Sequence, residues 1–479
     1  MFELHHLSAQ DLWDWIRRGD TTAREATDHY LARIARLDGE LGAFVTVTAD
    51  AARERADRLG LLVPTSRPLW GLPSGDKDLY DRAGVPTRSG TASLPPRPAA
   101  ADHPLVAAMD AAGAVSLGKT ASPEFGMSSS SETAFGVTRN PYDTHRAPGG
   151  SSSGAAVAVA AGLLPAAVGS DGGGSVRIPA AATGLVGLKP SRGRVPSMPG
   201  RSGVGGLSVA GPITRTVADA GMYLDALVAP TGLDEPTPYA LVTPDVGDGP
   251  FTAAAVRGEG RFVLGVLDGS PWDDTVDVVV DPAARAAVDT AVRVLGELGH
   301  GVEDVAMPRV PYGDPFRVAW ESSAARLPLV PGIDLDALTP LVSWLVARGR
   351  TLTGTDVLDA MTALDTFSVA LIRAFHRFDA VLTPTLALTP RPLGWYGTDP
   401  EEDFRRQCAY SPWTSMANVA GLPAITLPVG VTADDHPDGG GLPMGVQLIG
   451  RPGGERSLLA IGAQLERRVR WQRRHPAGW

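Results

Sequence analysis

The sequence has very little cysteine, and it lacks several patterns that identify common functional sites. Its one cysteine, Cys408, cannot form an internal disulfide, and one thiol cannot supply a paired-cysteine zinc site. The zinc-binding pattern His-Glu-x-x-His is also absent. We therefore expect no metal site, and we predict that Cys408 is a small buried apolar residue.

The chain also lacks an excess of basic residues and a long apolar run. It carries 43 Lys and Arg against 53 Asp and Glu, and this net charge of −10 disfavours non-specific nucleic-acid binding. Its most apolar window, 155–168, is too short to span a membrane. The first ten residues contain no basic region followed by an apolar core. We expect no secretory signal, no membrane association and a cytoplasmic location.

The hydrophobic pattern predicts alternating helices and strands joined by short connections, which indicates α/β layering. Thr22 with Glu25 three residues later forms a capping box at the start of one helix. Segment 229–260 is rich in Pro, Gly, Thr and Asp, which is typical of a long loop over the surface. Segment 314–365 is predicted to be mostly helical, but its pattern does not indicate how the helices are arranged. Helices are predicted at 21–37, 49–59, 103–112, 154–162, 216–227, 281–298 and 455–466, and strands at 114–118, 165–169, 261–267, 302–306, 378–386, 423–429 and 443–449.

Two clusters of glycine and serine stand out within residues 146–179. The first is Gly-Gly-Ser-Ser-Ser-Gly at 149–154, and the second is Asp-Gly-Gly-Gly-Ser at 171–175. Glycine lets a ligand approach the backbone closely, and successive N–H groups of such a loop can face one anion. Ser175, at the end of the second cluster, is well placed to attack a carbonyl whose oxygen those N–H groups hold.

These clusters resemble the signature of the amidase signature family of serine hydrolases. The family pattern is GGSSGG followed by D-x-G-G-S-x-R-x-P, and Ser175 follows Ser151 by 24 positions, as the pattern requires. The similarity fades between about 227 and 377 but covers most of the chain. Further matching motifs lie at 71–73, 77–78, 118–120, 124–126, 140–141, 187–190, 211–212 and 378–385.

The resemblance implies a single large α/β/α domain, 1–479, with a mixed β-sheet flanked by helices. Within it we expect a helical N-terminal segment at 1–60, a catalytic core at 61–227, a variable substrate-shaping region at 228–377 and a C-terminal return to the sheet at 378–479. The implied reaction is hydrolysis of the C–N acyl bond of a small-molecule amide, with esters and carbamates as further substrates. No metal or organic cofactor is implied, and a homodimer is compatible with the family.

The resemblance also assigns catalytic roles. Ser175 is the nucleophile, Ser151 is a bridging serine preceded by a cis peptide bond, and Lys77 is the base. A buried lysine can be neutral, and a hydroxyl between two groups can accept one proton while it donates another. The expected oxyanion hole consists of the backbone N–H groups of Gly172, Gly173, Gly174 and Ser175.

Other residues are expected to support this site. Asp171 and Arg177 flank the second cluster, and we expect a buried pair that braces the loop in preference to a direct catalytic role. The family layout brings Met127, Ser128 and Trp413 near the site as candidate walls of the substrate pocket.

Two departures from the usual family pattern lie next to the predicted catalytic groups. Gly172 stands where a larger residue is usual, which predicts either extra loop entropy or a wider pocket. Asp76 precedes Lys77 in place of an apolar residue, and Asp78 follows it. Because neighbours in a strand point to opposite faces, we expect both carboxylates to point away from Lys77 and to affect its pKa little.

Two alternatives remain open at this point. One is the glutaminase subunit of an aminoacyl-tRNA amidotransferase, which belongs to the same family and works with partner subunits. The other is a non-catalytic module that cradles a phosphate or nucleotide at 171–175. The histidines His5, His6 and His145 have no partner pattern and are expected on the surface or in loops.

Overall fold

The fold is built on strands that run through most of the chain. The computed structural model describes residues 3–62, 67–195, 203–228, 250–432 and 441–479. The strands are β1 (Phe44–Val47), β2 (Pro73–Lys77), β3 (Val115–Thr120), β4 (Glu132–Thr133), β5 (Gly136–Val137), β6 (Ala166–Asp171), β7 (Val186–Lys189), β8 (Val209–Thr214), β9 (Val263–Asp268), β10 (Gly301–Ala306), β11 (Ala380–Pro384), β12 (Ala424–Val431) and β13 (Pro443–Gly450).

Within the described residues, eleven of these strands form one mixed sheet. Their order is β1-β3-β2-β6-β8-β7-β12-β13-β11-β9-β10, and β4 and β5 pair separately. Strand β2 runs parallel to β3 and β6, and β9 runs parallel to β10 and β11. The remaining neighbours in the sheet are antiparallel. The predicted mixed sheet is therefore confirmed.

Helices connect the strands and carry the caps that the sequence predicts. Thr22 and Glu25 form the expected capping box at the start of the second helix. The α-helices are α1 (Ala9–Arg18), α2 (Ala23–Leu41), α3 (Ala49–Gly60), α4 (Pro104–Ala111), α5 (Ser153–Ala160), α6 (Arg177–Ala182), α7 (Val217–Val228), α8 (Phe251–Arg257), α9 (Pro282–Glu297), α10 (Gly313–Ala324), α11 (Pro340–Gly349), α12 (Gly354–Phe375), α13 (Pro400–Tyr410), α14 (Ser415–Val419) and α15 (Glu455–Val469).

Alternating side chains of the sheet contribute to two apolar cores, one on each face. Ala380 and Leu382 of β11 pack in the core that contains residues of α7, α9 and α15, whereas Val381 packs in the core that contains residues of α10, α12 and α14. Leu448 and Ile449 of β13 divide in the same way. This period of two is what a strand buried on both faces requires, and it confirms the α/β/α layering.

Two expectations need correction. Helix α8 lies within the predicted surface excursion 229–260, of which 229–249 falls outside the described residues. His5 is not on the surface: its side chain is 2% exposed and lies next to His29. Cys408 is buried as predicted. Among the described residues no helix is both long enough and apolar enough to cross a membrane.

Candidate active site

Strand β2 ends at Lys77, whose side chain is completely buried. Its Nζ donates hydrogen bonds to three serine hydroxyls: Ser151 Oγ at 2.8 Å, Ser170 Oγ at 2.8 Å and Ser152 Oγ at 3.0 Å. Burial lowers the pKa of Lys77 from 10.5 to about 7, against an opposing contribution from Asp171. Burial therefore gives Lys77 a substantial neutral fraction near pH 7, beside three serine hydroxyls.

The two carboxylates next to Lys77 in the sequence, Asp76 and Asp78, each lie beside a different cationic side chain. Asp76 accepts a hydrogen bond from Arg82 Nε at 2.5 Å, and Asp78 Oδ1 lies 3.7 Å from the buried Lys119 Nζ. Neither carboxylate is a cause of the pKa shift of Lys77. Side chains alternate between the two faces along β2 and its continuation, so Asp76 and Asp78 point away from Lys77, as the sequence predicts.

Ser151 and Ser175 lie on the two glycine–serine segments. Ser151 is 1% exposed and follows a cis Gly150–Ser151 peptide bond, just before α5 begins. Ser175 is half-buried, lines a cavity, and accepts a hydrogen bond at its carbonyl from Ser152 N–H at 3.2 Å. Among the described residues no hydrogen bond joins Ser175 Oγ to Ser151 Oγ. The structure thus brings Lys77 and Ser151 into contact and leaves Ser175 lining the cavity.

The backbone N–H groups of the loop 171–175 are not equivalent. The N–H of Gly174 donates to Asp171 Oδ1 at 2.8 Å, so it is not available to a substrate oxygen. Those of Gly172, Gly173 and Ser175 make no hydrogen bond to any described residue. Of the four N–H groups that the sequence predicts for the oxyanion hole, three are therefore available to a substrate oxygen. The Gly174 N–H is not, because it donates to Asp171.

Asp171 and Arg177 form a fully buried ion pair beneath this loop. Arg177 donates through Nε and Nη2 to the two carboxylate oxygens at 2.9 and 2.8 Å. Burial alone would raise the pKa of Asp171, but Arg177 and further donors hold it at about 2. The guanidinium also donates to Thr414 O, Asn418 Oδ1 and Gln447 Oε1. The pair therefore fixes the loop to residues far along the chain.

A cavity of about 60 Å³ lies beside Ser175, and its walls only partly match the prediction. Met127 and Ser128 line it as expected. Trp413 is not among the described residues that line it, because its indole N–H is turned to Gly269 O at 2.9 Å and its side chain is 5% exposed. The other lining residues are Gly126, Ser129, Gly173, Ile178, Trp272, Phe316, Trp320, Phe404, Gln407, Cys408, Ser411 and Ser415.

Two groups of site residues were missed from the sequence. Ser152 and Ser170 are direct neighbours of Lys77, and the signal was present, since Ser152 belongs to the first cluster and Ser170 precedes Asp171. The aromatic wall of Trp272, Phe316 and Trp320 comes from the weakly matched region 228–377, and no local pattern marks it.

The chain also contains a formal match to the nucleotide-binding pattern Gly-x-x-x-x-Gly-Lys-Thr, at residues 113–120. Its second half is not a loop before a helix, because Val115–Thr120 is strand β3. Lys119 is completely buried and donates to Tyr80 O and Thr87 Oγ1. A strand that pairs with a neighbour on both sides, as β3 does with β1 and β2, cannot cradle a phosphate, so the match carries no binding function.

Two further features lie outside this site. A larger cavity of about 430 Å³ lies between Tyr142 and residues 471–477 and does not include Ser175. Glu3, His5 and His29 have ligand-type atoms within 4.8 Å of one another, which is a spacing that a metal could use. Neither feature contacts Lys77 or the loop 171–175 in the described residues.

Comparison with known proteins agrees with the resemblance read from the motifs. A family model described as Amidase matches residues 25–459. A glutamyl-tRNA(Gln) amidotransferase subunit of Roseiflexus sp. (strain RS-1) is 34% identical, over 99% of this chain and 98% of that protein. The putative amidase AmiB2 of Mycobacterium tuberculosis (strain ATCC 25618 / H37Rv) is 37% identical, over 96% and 95%.

The solved structure of 6-aminohexanoate cyclic dimer hydrolase superimposes with a TM-score of 0.89 at 29% identity, covering 100% of this chain and 99% of that one. Sequence and structure agree over nearly the full length, and the relatives and structural neighbours include a putative amidase and a bacterial aryl acylamidase. This decides against the non-catalytic phosphate-binding alternative. The chain therefore belongs to the amidase signature family and is an amide-hydrolysing enzyme.

Proposed function

We propose that this enzyme hydrolyses a small-molecule carboxamide through an acyl-enzyme on Ser175, with Ser151 as proton relay and Lys77 as base. The observation that carries the proposal is the contact between Lys77 Nζ and Ser151 Oγ, 2.8 Å apart, at a lysine whose pKa is lowered to about 7. A serine hydroxyl is a weak nucleophile until a base accepts its proton, and lysine is a base only when neutral.

The three hydroxyls around Lys77 have different tasks in this proposal. A neutral amine has two N–H groups and one lone pair. Ser152 Oγ donates its own proton to Ser170 O at 3.3 Å, and the Ser170 hydroxyl is hydrogen-bonded to Tyr80. These two hydroxyls therefore accept the two N–H groups, and the lone pair faces Ser151, whose proton is not committed to another described acceptor.

The first half of the reaction forms the acyl-enzyme. Ser175 Oγ bonds to the carbonyl carbon as its proton passes to Ser151 Oγ, and the proton of Ser151 passes to Lys77. This requires Ser175 Oγ to come within hydrogen-bond reach of Ser151 when substrate is bound, a contact that commonly tightens only in the complex. The carbonyl π electrons move to the oxygen, and the N–H groups of Gly172, Gly173 and Ser175 stabilise that oxyanion.

The second half releases the products. Collapse of the oxyanion breaks the C–N bond, and the departing amine takes a proton from Ser151, which Lys77 replaces. Water then attacks the acyl carbon as its proton passes to Ser151 and the proton of Ser151 passes to Lys77. The bond from the acyl carbon to Ser175 Oγ breaks, the acid leaves, and Ser175 regains a proton from Ser151, which Lys77 replaces. No metal or organic cofactor is required, because the chain supplies both the proton transfers and the oxyanion donors. Esters and carbamates follow the same path with a different leaving group.

A covalent probe tests this proposal. A fluorophosphonate should label Ser175 in the wild-type enzyme, as identified by peptide mass spectrometry, and Ser175→Ala should abolish both labelling and amide turnover. Ser411→Ala is the matched control, because Ser411 lines the same cavity without contacting Lys77. A label on Ser151 or Ser152, or turnover by Ser175→Ala, would reject the assignment.

The 34% identity to a glutamyl-tRNA(Gln) amidotransferase subunit favours a second candidate, a glutaminase that works with partner subunits. The 37% identity to a putative amidase and the aromatic and hydroxyl-bearing walls of the cavity favour the stand-alone enzyme. Turnover of simple amides by the purified chain, without a preference for glutamine, would support the stand-alone enzyme. Turnover of glutamine alone would support the second candidate. The cytoplasmic location and the homodimer stay predictions.

A further inference from the structure

Two histidines and a glutamate meet where the short 3-10 helix Leu4–His6 packs on α2. His5 Nδ1 lies 3.1 Å from His29 Nε2 and 3.3 Å from Glu3 Oε2. All three of these ligand-type atoms lie within 4.8 Å of one another. Because His29 belongs to α2 and the other two residues lie at or just before the 3-10 helix, no single sequence motif reveals the cluster.

Hydrogen bonds alone do not account for both contacts of His5 Nδ1. A neutral imidazole nitrogen carries either one proton or one lone pair. This nitrogen can therefore donate to Glu3 or form a hydrogen bond with His29, but it cannot make two full hydrogen bonds at once. A metal ion would bond to all three atoms together.

The separations fit a tetrahedral zinc site. Zinc binds histidine nitrogen at about 2.0–2.1 Å and carboxylate oxygen at about 2.0–2.2 Å, so two such ligands lie about 3.3–3.4 Å apart. The separations of His5 Nδ1 from His29 Nε2 and from Glu3 Oε2, 3.1 and 3.3 Å, are close to this value. The Glu3 side chain is 47% exposed, so its carboxylate can rotate to shorten the third separation and a water molecule can take the fourth position.

His5 and His29 are held in place by their surroundings. The His5 side chain is 2% exposed, and its ring meets that of Trp479 at 63°, with centroids 5.4 Å apart. The carbonyl oxygen of His5 accepts a hydrogen bond from Arg215 Nη1 at 2.8 Å. The rings of the two histidines are nearly parallel, with centroids 5.3 Å apart. Little side-chain freedom would therefore be lost when an ion binds.

The charges around the two histidines act in two directions. Burial first, and then Arg33, lower the pKa of His5 to about 3, and burial also lowers the pKa of His29. Both imidazoles are therefore mostly neutral near pH 7, which is the form that binds a metal. Arg33 and Arg215 would also repel a dication, and the Glu3 carboxylate offsets part of that repulsion. We expect a dissociation constant of about 1 µM, weaker than that of structural zinc sites in zinc fingers.

We propose that Glu3, His5 and His29 bind one zinc ion, which fastens the 3-10 helix 4–6 to α2. None of the three lines the cavity beside Ser175 or donates to the hydroxyls around Lys77. The ion is therefore structural and takes no part in amide hydrolysis. The expectation of no metal site was drawn from paired cysteines and His-Glu-x-x-His, patterns that do not cover ligands on two separate elements.

The first test measures zinc binding directly. Enzyme without a histidine tag, freed of metal by a chelator, is titrated with ZnCl₂ in a calorimeter, and one ion per chain is expected. His29→Ala and Glu3→Gln each remove one ligand at a position that is not fully buried, so the fold should survive. Each should weaken binding about tenfold or more, because even the partners of metal ligands are worth about 10–100-fold in affinity.

The matched control for this titration is His145→Ala, which removes an exposed histidine elsewhere and should keep the wild-type affinity. MgCl₂ should give no binding signal, because Mg²⁺ prefers oxygen ligands to imidazole. No zinc binding by the wild-type chain would overturn the proposal. Wild-type affinity in both His29→Ala and Glu3→Gln would also overturn it, because the ion would then lie elsewhere.

Cobalt(II) in place of zinc tests the geometry of the site. The visible absorption of Co²⁺ is much stronger in a tetrahedral site than in an octahedral one, so a strong band should appear when the metal-free enzyme is titrated with CoCl₂. His29→Ala should lose the band, and His145→Ala should keep it. A strong band that persists in His29→Ala would contradict the assigned ligands.

The structural role is tested by thermal stability and activity together. Zinc at about 100 times its dissociation constant should raise Tm by about two or three degrees in wild type and in His145→Ala, but not in His29→Ala. The kcat/KM for an amide should be the same in metal-free and zinc-loaded wild type. Activity that appears only with zinc would overturn the structural role. Zinc affinity, the cobalt band and Tm do not depend on Ser175, so they test this site even if the proposed function fails.

Discussion

Two lysines at the ends of strands β2 and β7 are alike in burial and in pKa but differ in their hydrogen-bond partners. Lys77 and Lys189 are both completely buried, and burial lowers the pKa of each from 10.5 to about 7. Lys77 Nζ contacts the hydroxyls of three serines, whereas Lys189 Nζ donates to the carbonyl oxygen of Pro190 at 2.8 Å. Both amines can lose a proton near neutral pH, so the pKa does not distinguish them.

Their partners do distinguish them. A carbonyl oxygen accepts hydrogen bonds but has no proton to give, so a neutral Lys189 faces no donor in that contact. The hydroxyl of Ser151 can give a proton to neutral Lys77 and take it back. A perturbed pKa is therefore a weak guide to a catalytic base unless the group also touches a hydroxyl that can supply the proton.

The largest expected difference between the two lysines is in activity. Lys77→Met should lower kcat/KM for an amide roughly 10²–10⁴-fold, as is typical when a general base is removed. Lys189→Met, which replaces the other buried amine by a side chain of similar length, should cause a much smaller loss. Steady-state kinetics on both purified variants measures this, with circular dichroism as the check on folding. Equal losses would mean that the base has not been identified.

The pH profile should separate the two lysines next. Because only neutral Lys77 accepts a proton, kcat/KM should fall about tenfold per pH unit below a pKa of about 7 and level off above it. Lys189→Met should keep this profile. Lys77→Arg should be as inactive as Lys77→Met, because a guanidinium stays protonated. An active arginine variant would show that Lys77 is structural.

A smaller effect is expected from the hydroxyls that surround Lys77. Ser170→Ala removes one acceptor of the ammonium, which destabilises the charged form and lowers the pKa further. The rising limb of the pH profile should shift to lower pH by about one unit, since a hydrogen bond to a charged group is worth about 1.5 kcal/mol or more. Ser153→Ala is the matched control, because Ser153 bonds Ala121 O and not Lys77. A limb that stays in place in Ser170→Ala would contradict the assigned role.

The smallest effect is expected in thermal stability. A lysine whose pKa falls from 10.5 to about 7 on folding binds fewer protons when folded than when unfolded, between those two pH values. Unfolding then takes up protons, so the free energy of unfolding rises with pH across that window. Lys189→Met removes one such group. It should raise Tm near pH 7 by about one or two degrees and flatten the rise, as calorimetry from about pH 7 to 10 would show. A lower Tm at pH 7 would contradict this account.

The two glycine–serine clusters of the candidate site could be recognised because they are short and continuous in the chain. The clusters 149–154 and 171–175 carry their own signal, and alternation along β2 correctly predicts that Asp76 points away from Lys77. The use of the Gly174 N–H by Asp171 was also within reach, since aspartate commonly accepts from a nearby backbone N–H in a turn.

The aromatic wall of the cavity could not be predicted from the sequence, and Trp413 does not line this cavity as predicted. Phe316 and Trp320 reach the cavity because α10, in the weakly matched region, packs across the loop 171–175, and Trp272, which follows β9, packs edge to face on Phe316. That is a contact between distant parts of the chain, without a local pattern. Trp413 lies between α13 and α14, both of which contribute residues to the cavity, but its indole N–H donates to the carbonyl of Gly269 instead.

The bonds of Arg177 also set a time at which the active site can exist. Its guanidinium is satisfied by Thr414, Asn418 and Gln447, which are separated from it by 237, 241 and 270 positions. Until the ribosome has made Thr414, the loop that precedes Arg177 has none of these anchors, and all three are present only once Gln447 has been made. The newly made chain therefore carries Ser175 long before it carries all the residues that anchor this loop. We expect amide hydrolysis to begin only after β13, which contains Gln447, has been made.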